Sequence, residues 1–340
     1  MSETKNILFL NEWRDKVRTF WNDAAAAKVA EYGFVFDIPA LDGDIENFDW
    51  KTILPRYDAV VTTWRSPVCS KDFLAAAPNV KVVAHCAGSV ASVTDATTFE
   101  TGVRVTTANP LMAEAVAEWS LLATLLAQRR LETYACMHPG EKMKWNAMTN
   151  IADLHKMVIG LWGMGDVTKH LLRMLSVLRP AEILVCSSHA GEEELARYGA
   201  KKASLEELLT RSDVFHCLVG VNDANLYRIG AKEFGMMKEN AVFVNAGRAR
   251  LCREEALLDA LRTKRIRAIL DVFHDEPLPE DSPLYAFDNV IMTPHDAGYT
   301  GRDRFLPFIL DELHRFFTGQ PMEAEISASR RRTMTHEGLH

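Results

Sequence analysis

Six short apolar runs, at residues 157–161, 183–186, 214–219, 242–245, 268–272 and 290–293, alternate with stretches of helical character, and the first runs into Trp162-Gly163-Met164-Gly165. A strand that reads as a continuous apolar run is covered on both faces, as in a parallel sheet flanked by helices. Six of them separated by helices predict a doubly wound parallel sheet. The turn after the first strand has the form G-x-G-x-x-T, over Gly163, Met164, Gly165, Asp166, Val167 and Thr168. Its first glycine permits a tight turn, and its second lets the backbone approach a pyrophosphate. Amides at the start of the following helix then face the anion, helped by the helix dipole. A G-x-G alone is a weak signal; the strand before it, the helix after it and the five further strands give it weight. Gly163, Met164, Gly165, Asp166 and Val167 are therefore expected to hold a dinucleotide. Thr168 stands where a third glycine would serve close helix–strand packing, and Asp166 adds a negative charge near the expected phosphates.

The end of the second strand in such a fold reads the adenosine ribose. Sites for NAD place Asp or Glu there. Here the run is Val185-Cys186-Ser187-Ser188-His189, without an acid and without an arginine. Lacking the carboxylate, it has no repulsion for a 2'-phosphate, and Ser187, Ser188 and His189 are donors for one. The cofactor is expected to be NAD or NADP, with the balance toward NADP.

The first hundred residues repeat the alternation more briefly. Strands are expected at 7–10, 34–38, 59–63 and 80–85, a helix at 17–32 and an acidic loop at 42–49. Met112, Val116, Trp119, Leu122 and Leu126 then recur at helical spacing. That helix, over 110–130, is expected to join two domains and to pack in a dimer. A closing helix is expected over 302–319, ended by Gly319 before Pro321. Residues 327–340 carry Arg330-Arg331-Arg332 and no apolar pattern, which predicts a frayed tail.

Formal net charge is -7, which argues against a nucleic-acid surface and gives no attraction to an anionic membrane. The apolar run 6–10 is too short for a signal sequence, and no apolar stretch is expected to span a membrane. The six cysteines, Cys69, Cys86, Cys136, Cys186, Cys217 and Cys252, form no CxxC. They read as free thiols of a cytoplasmic protein, and no metal site is expected.

In an open parallel sheet ligands sit outside the carboxyl ends of the strands. Arg248 follows the fourth strand of the second series, Glu276 the fifth and His295 the sixth. Singly, each reads as a surface or structural residue. Three on successive strand ends beside a dinucleotide turn read as a catalytic set. An arginine fork orients a substrate carboxylate. A histidine, with an unperturbed pKa of about 6.5, gives and takes the proton of a hydroxyl. A neighbouring carboxylate favours the imidazolium and fixes the ring.

With these residues in place the chain resembles the D-isomer specific 2-hydroxyacid dehydrogenases over nearly its whole length. The most specific blocks are Met236-Met237-Lys238 with Val244-Asn245-Ala246-Gly247-Arg248, Leu270-Asp271-Val272-Phe273 with Glu276-Pro277, and Thr293-Pro294-His295-Asp296-Ala297-Gly298. Ala115-Val116-Ala117-Glu118 matches the start of the family's inter-domain helix, and Lys144-Trp145 the segment before the dinucleotide domain. The resemblance implies an NAD(P)-dependent oxidoreductase interconverting a small D-2-hydroxy acid and its 2-keto acid. It implies two α/β domains with Rossmann-like doubly wound parallel sheets. One is a discontinuous, flavodoxin-like substrate domain over 1–108 and 299–330. The other is a dinucleotide domain over 109–298, and a tail follows at 331–340. Arg248 would bind the substrate, His295 would be the acid/base and Glu276 its partner. Val219, Ala246, Gly247, Asp271 and Gly298 would join the cofactor-facing residues, and homodimers are common. Where the family carries a G-x-G-x-D-N-like loop, this chain has Ala87-Gly88-Ser89-Val90-Ala91-Ser92-Val93, so Ser89 and Val90 inherit the substrate carboxylate. Arg65 is a further substrate candidate, and Gly220 replaces a common proline. The competing reading is a cofactor-sensing, corepressor-like protein without turnover; the set Arg248, Glu276 and His295 weighs against it.

Overall fold

The computed structural model describes residues 4–11, 18–39, 50–131 and 153–334. Lys144, Trp145 and Cys136 lie outside them, as does the expected acidic loop at 42–49. The chain forms two compact units: one from residues up to Met112 together with those from Tyr299, the other from Ala113–Gly298.

The first unit holds a five-stranded parallel sheet of β1 (Asn6–Leu10), β2 (Val35–Asp37), β3 (Ala59–Thr62), β4 (Val82–His85) and β5 (Arg104–Thr107), in the order β2-β1-β3-β4-β5. That is the flavodoxin-like order. β3 and β4 are buried throughout, which is why they read as unbroken apolar runs. β5 went unforeseen because Arg104-Val105-Thr106-Thr107 has a single apolar side chain. The helix expected over 17–32 is divided. Residues 18–20 are helical, then Asn22 turns extended and accepts from the Ala25 amide to start α1 (Asp23–Tyr32). An Asn side chain satisfies an otherwise orphaned amide and so favours a cap over a helix interior.

Along the second unit come α2 (Asn109–Arg129, its first residues in the other unit), β6 (Val158–Trp162), α3 (Asp166–Leu178), β7 (Glu182–Cys186), β8 (Lys201–Lys202), β9 (Val214–Cys217), β10 (Val242–Asn245), β11 (Arg267–Leu270) and β12 (Val290–Met292). All seven strands are parallel, in the order β12-β11-β10-β9-β6-β7-β8. This is the Rossmann order with its topological switch between β6 and β9. By length and composition α2 could cross a bilayer, which corrects the expectation that no apolar stretch is long enough. Its alanine face, Ala117, Ala123 and Ala127, lies instead in the core with Ile159, Leu161 and Leu171.

The chain then returns to the first unit through α4 (Phe305–Phe317), which buries Phe305, Leu306, Ile309, Leu310 and Leu313 at helical spacing. Between them Glu312 is fully buried. Its carboxylate accepts from Thr106 Oγ1 at 2.7 Å, the amides of Glu323 and Ala324 at 2.9 Å each, and Arg315 Nη1 at 3.1 Å. The tail expected to fray does not do so at 327–334. Ser327 caps a short helix, α5 (Ala328–Arg331), and Met334 packs on the core.

Candidate active site

The turn after β6 is built for a dinucleotide. Gly163 has φ 112°, and a Cβ there would meet Val219 N at 2.9 Å and Leu218 C and O at 3.0 Å. Its amide donates to Cys186 O at 2.9 Å, while the Leu218 amide donates to Trp162 O at 2.9 Å. Only glycine fits where these backbones close together. A Cβ on Gly165, the N-cap of α3, would meet no described atom within 4 Å, which leaves the approach to the helix amides clear. Met164 and Val167 flank this turn, half-buried, and Asp166 is the first residue of α3. These features fit a pyrophosphate at the helix N-terminus. Thr168, in place of a third glycine, is fully buried, and its hydroxyl has no hydrogen bond among the described residues.

At the end of β7, Ser187 Oγ accepts from the amides of His189 and Ala190 at 3.1 and 3.2 Å, and Ser188 Oγ lies 2.9 Å from His189 Nδ1. The sequence showed no cation here, yet the fold supplies two. Lys202 pairs in register with Val185, and its Nζ donates to Ala190 O at 3.0 Å. Burial pushes the Cys186 thiol up, while the charges of Arg228 and Lys202 draw it down. A two-residue strand of lysines has no apolar pattern to announce it.

Arg248, Glu276 and His295 come together within the second unit. His295 Nδ1 is 2.6 Å from Glu276 Oε2, and Glu276 Oε1 accepts from the Phe273 amide at 2.9 Å. Burial works to raise the Glu276 pKa. Hydrogen bonds from His295 and Phe273, with the charges of His295 and Arg248, outweigh it and hold the carboxyl below the usual range. Arg248 donates from Nη1 to Gly247 O at 2.7 Å, and its buried Nε has no hydrogen bond among the described residues. Burial lowers the guanidinium's pKa and Glu276 raises it. Asn245 fixes this turn: its Nδ2 donates to Arg248 O at 3.0 Å and its Oδ1 accepts from the Gly247 amide at 3.1 Å. Close approach explains Gly247, where a Cβ would stand 2.9 Å from Cys217 O. Ala246 precedes it, Val219 follows β9, and Gly298 closes the His295 turn.

Asp271, foreseen as a cofactor-facing residue, directs its carboxylate to the His295 turn. Oδ1 accepts from Thr293 Oγ1 at 2.5 Å and the Asp296 amide at 3.0 Å, and Oδ2 from the Ala297 amide at 3.0 Å. Trp119 Nε1, from α2, donates to Thr293 Oγ1 at 3.1 Å. This bracing matters because His295 has φ 55°, a conformation that an L residue holds only when its surroundings impose it. Sequence reasoning had no sign of Trp119, which stood only as one member of an apolar stripe.

Within the first unit, Ser89 extends from the carboxyl end of β4, and its Oγ accepts from the Ala91 amide at 3.3 Å to cap the turn Val90–Ser92. Arg65, after β3, is exposed with φ 65°. Gly220 O accepts from Asn225 Nδ2 at 2.7 Å, so that turn is held by a side chain.

Residues 121–297 match the family model of the D-isomer specific 2-hydroxyacid dehydrogenase, NAD binding domain. A glyoxylate reductase of Aeropyrum pernix is 32% identical over 240 residues, covering 68% of this chain and 71% of that one. Among solved structures, a phosphoglycerate oxidoreductase from Rhizobium etli superposes with a TM-score of 0.79 at 24% identity, over 96% of this chain and 99% of that one. A D-isomer specific 2-hydroxyacid dehydrogenase from Xanthobacter autotrophicus, in complex with NADPH and MES, gives 0.73 at 22%, over 97% and 100%. With its parallel seven-stranded sheet, its dinucleotide turn and these matches, the chain belongs to the D-isomer specific 2-hydroxyacid dehydrogenases, oxidoreductases with an NAD-binding domain.

Proposed function

We propose that the protein reduces a small 2-keto acid of the glyoxylate type to the D-2-hydroxy acid, with NADP as the favoured cofactor. The observation that carries this reading is the His295–Glu276 pair at 2.6 Å, with Arg248 close enough for its charge to act on Glu276. Glu276 holds the Nδ1 edge of the ring, so His295 gives its proton from the other nitrogen to the carbonyl oxygen. With its pKa held down, Glu276 stays ionised at neutral pH and accepts from the ring. Arg248 takes the substrate carboxylate, since its buried Nε has no hydrogen bond among the described residues while Nη1 is tied to Gly247 O. Ser89, Val90 and Arg65, on the first unit, are further candidates for contact with the substrate. Bound, the nicotinamide supplies the hydride. Gly163, Met164, Gly165, Asp166 and Val167 cradle its pyrophosphate; Val219, Ala246, Gly247 and Gly298 line the approach to the ring. Ser187, Ser188 and Lys202 receive a 2'-phosphate. We further propose a cytoplasmic homodimer through α2, whose Leu122 is 52% exposed.

A panel of 2-keto acids assayed with NADH and NADPH in parallel tests the reading. Oxidation of either cofactor with glyoxylate or a near relative is expected. His295→Ala should cost on the order of 10²- to 10⁴-fold in kcat, the worth of general acid catalysis, with cofactor binding retained. No turnover with any keto acid, or full activity in His295→Ala, defeats the proposal.

A further inference from the structure

Arg248 and Glu276 stand on separate turns, and an imidazole outside the catalytic set ties those turns together. His274 lies two residues before Glu276, after β11, with its side chain only 16% exposed. Its Nε2 is 3.0 Å from Cys252 O. A carbonyl oxygen only accepts, so this nitrogen carries the hydrogen and donates. Nδ1 faces Glu254 Oε1 at 4.0 Å, on the first residue of the helix Glu254–Arg262. The ring lies nearly parallel to that of Tyr227, 5° apart, with the centroids separated by 6.4 Å. The Arg253 guanidinium stands 5.5 Å from the centre of the Tyr227 ring.

What the bond joins gives it its use. Cys252 closes the turn that Arg248 opens: the Leu251 amide donates to Arg248 O at 3.2 Å, and the Cys252 amide to Ala249 O at 3.0 Å. On the other side Phe273, the neighbour of His274, gives its amide to Glu276 Oε1 at 2.9 Å. Tyr227 belongs to the segment after β9, whose Tyr227 and Ile229 amides donate to Arg250 O at 2.7 Å and Leu251 O at 3.0 Å. β9, β10 and β11 are neighbours in the sheet, so this one ring meets the segments leaving three adjacent strands. Beyond a strand end no ladder fixes the backbone, and side chains must do so. Cys252 is 1% exposed, which shelters its bond to His274 from competing water. We propose that His274 is a positioning residue: by donating to Cys252 O it fixes the Glu276 turn against the Arg248 turn, so that the carboxylate stays on His295 Nδ1. The inference rests on the reading above that Glu276 is the partner of His295 in the reaction.

Three substitutions at His274 separate the bond from the bulk. His274→Phe keeps a ring against Tyr227 and has no donor. His274→Asn ends its amide at the level of Nδ1, short of Cys252 O, whereas His274→Gln carries an amide N–H to the level of Nε2. With glyoxylate as the substrate, His274→Phe and His274→Asn are expected to lower kcat/KM about tenfold, the cost of a small misplacement, with the KM for the reduced cofactor within about twofold. His274→Gln should stay within about threefold of the wild type. The pH profile supplies the readout that mere packing would not move. Glu276 is held down by His295, the Phe273 amide and Arg248 against burial. A slackened turn weakens that hold, so the carboxyl takes its proton at higher pH and the acid limb of kcat/KM moves upward in His274→Phe and His274→Asn. Initial rates after a jump from neutral stock into acid show it. Unchanged kcat/KM in both variants, an equal loss in His274→Gln, or a loss that leaves the acid limb in place overturns the inference. Glu276→Gln tests the reading beneath: it should lower kcat and abolish the acid limb. Wild-type kcat and an intact acid limb in Glu276→Gln overturn that reading, and this inference with it.

Discussion

Glu276 sets the character of the candidate site because two forces act on it in opposition. Burial favours its neutral form, and His295, the Phe273 amide and Arg248 favour the charged one and prevail. Its pKa is thus lower folded than unfolded, where the ordinary value is 4.5. The stabilisation this represents is complete above pH 4.5 and is lost as pH falls through the folded value. Melting temperatures of the wild type and Glu276→Gln should differ by a constant gap from pH 7 to about 5, and the gap should close below about 4.5. A gap that widens on acidification contradicts the assignment. At this scale Arg248, Glu276 and His295 were legible because a doubly wound sheet brings successive strand ends to one rim. Trp119 was not, since nothing in a stripe of apolar residues tells which side chain turns to a partner. Asp271 was expected to face the cofactor, whereas its bonds to the Asp296 and Ala297 amides depend on a backbone conformation that no spacing reveals.

Among the elements, α4 shows how an ordinary amphipathic helix can carry an unreadable feature. Its five apolar core residues announce the buried face, whereas Glu312 interrupts that face with a charge. The carboxylate is stable there because four donors surround it, one on β5 and two on the segment after the helix. Removing one member of such a buried set leaves the others unsatisfied, and Glu312→Ala should cost about 3–5 kcal/mol. Urea denaturation provides the check; a loss below about 1 kcal/mol, the level of an exposed pair, would show that the charge is not held as described. The same contacts explain why β5 escaped notice. Its Thr106 serves Glu312 with a hydroxyl, and Ile326 N donates to Val105 O at 2.8 Å, so its edge is covered without apolar side chains. By contrast the central strands were legible as apolar runs because both faces of each are buried.

At the scale of the whole molecule, each unit conceals one neutral histidine among its described residues. His85 is fully buried with Nδ1 3.0 Å from Thr62 Oγ1, and His216 with Nε2 2.9 Å from Thr124 Oγ1 on α2. Burial pushes each down to about 3 from an ordinary 6.5. Unfolded chains take up these two protons below pH 6.5 and the native protein does not. Stability should therefore fall on acidification from about 6.5 toward 3, by about 1.4 kcal/mol per pH unit for each histidine. His216→Gln should remove one histidine's share of that slope between pH 6 and 4.5, read from urea midpoints; an unaltered slope would place the effect elsewhere. The division into units has a consequence for synthesis. The sheet of the first unit is laid down by residue 107, but α4, which covers it, leaves the ribosome only after the second unit has been made. At about 5–20 residues per second the nascent sheet waits roughly 10–40 s for α4. Throughout that interval the apolar surface destined for Leu306, Ile309, Leu310 and Leu313 lies bare, and a cell making this enzyme must shelter it.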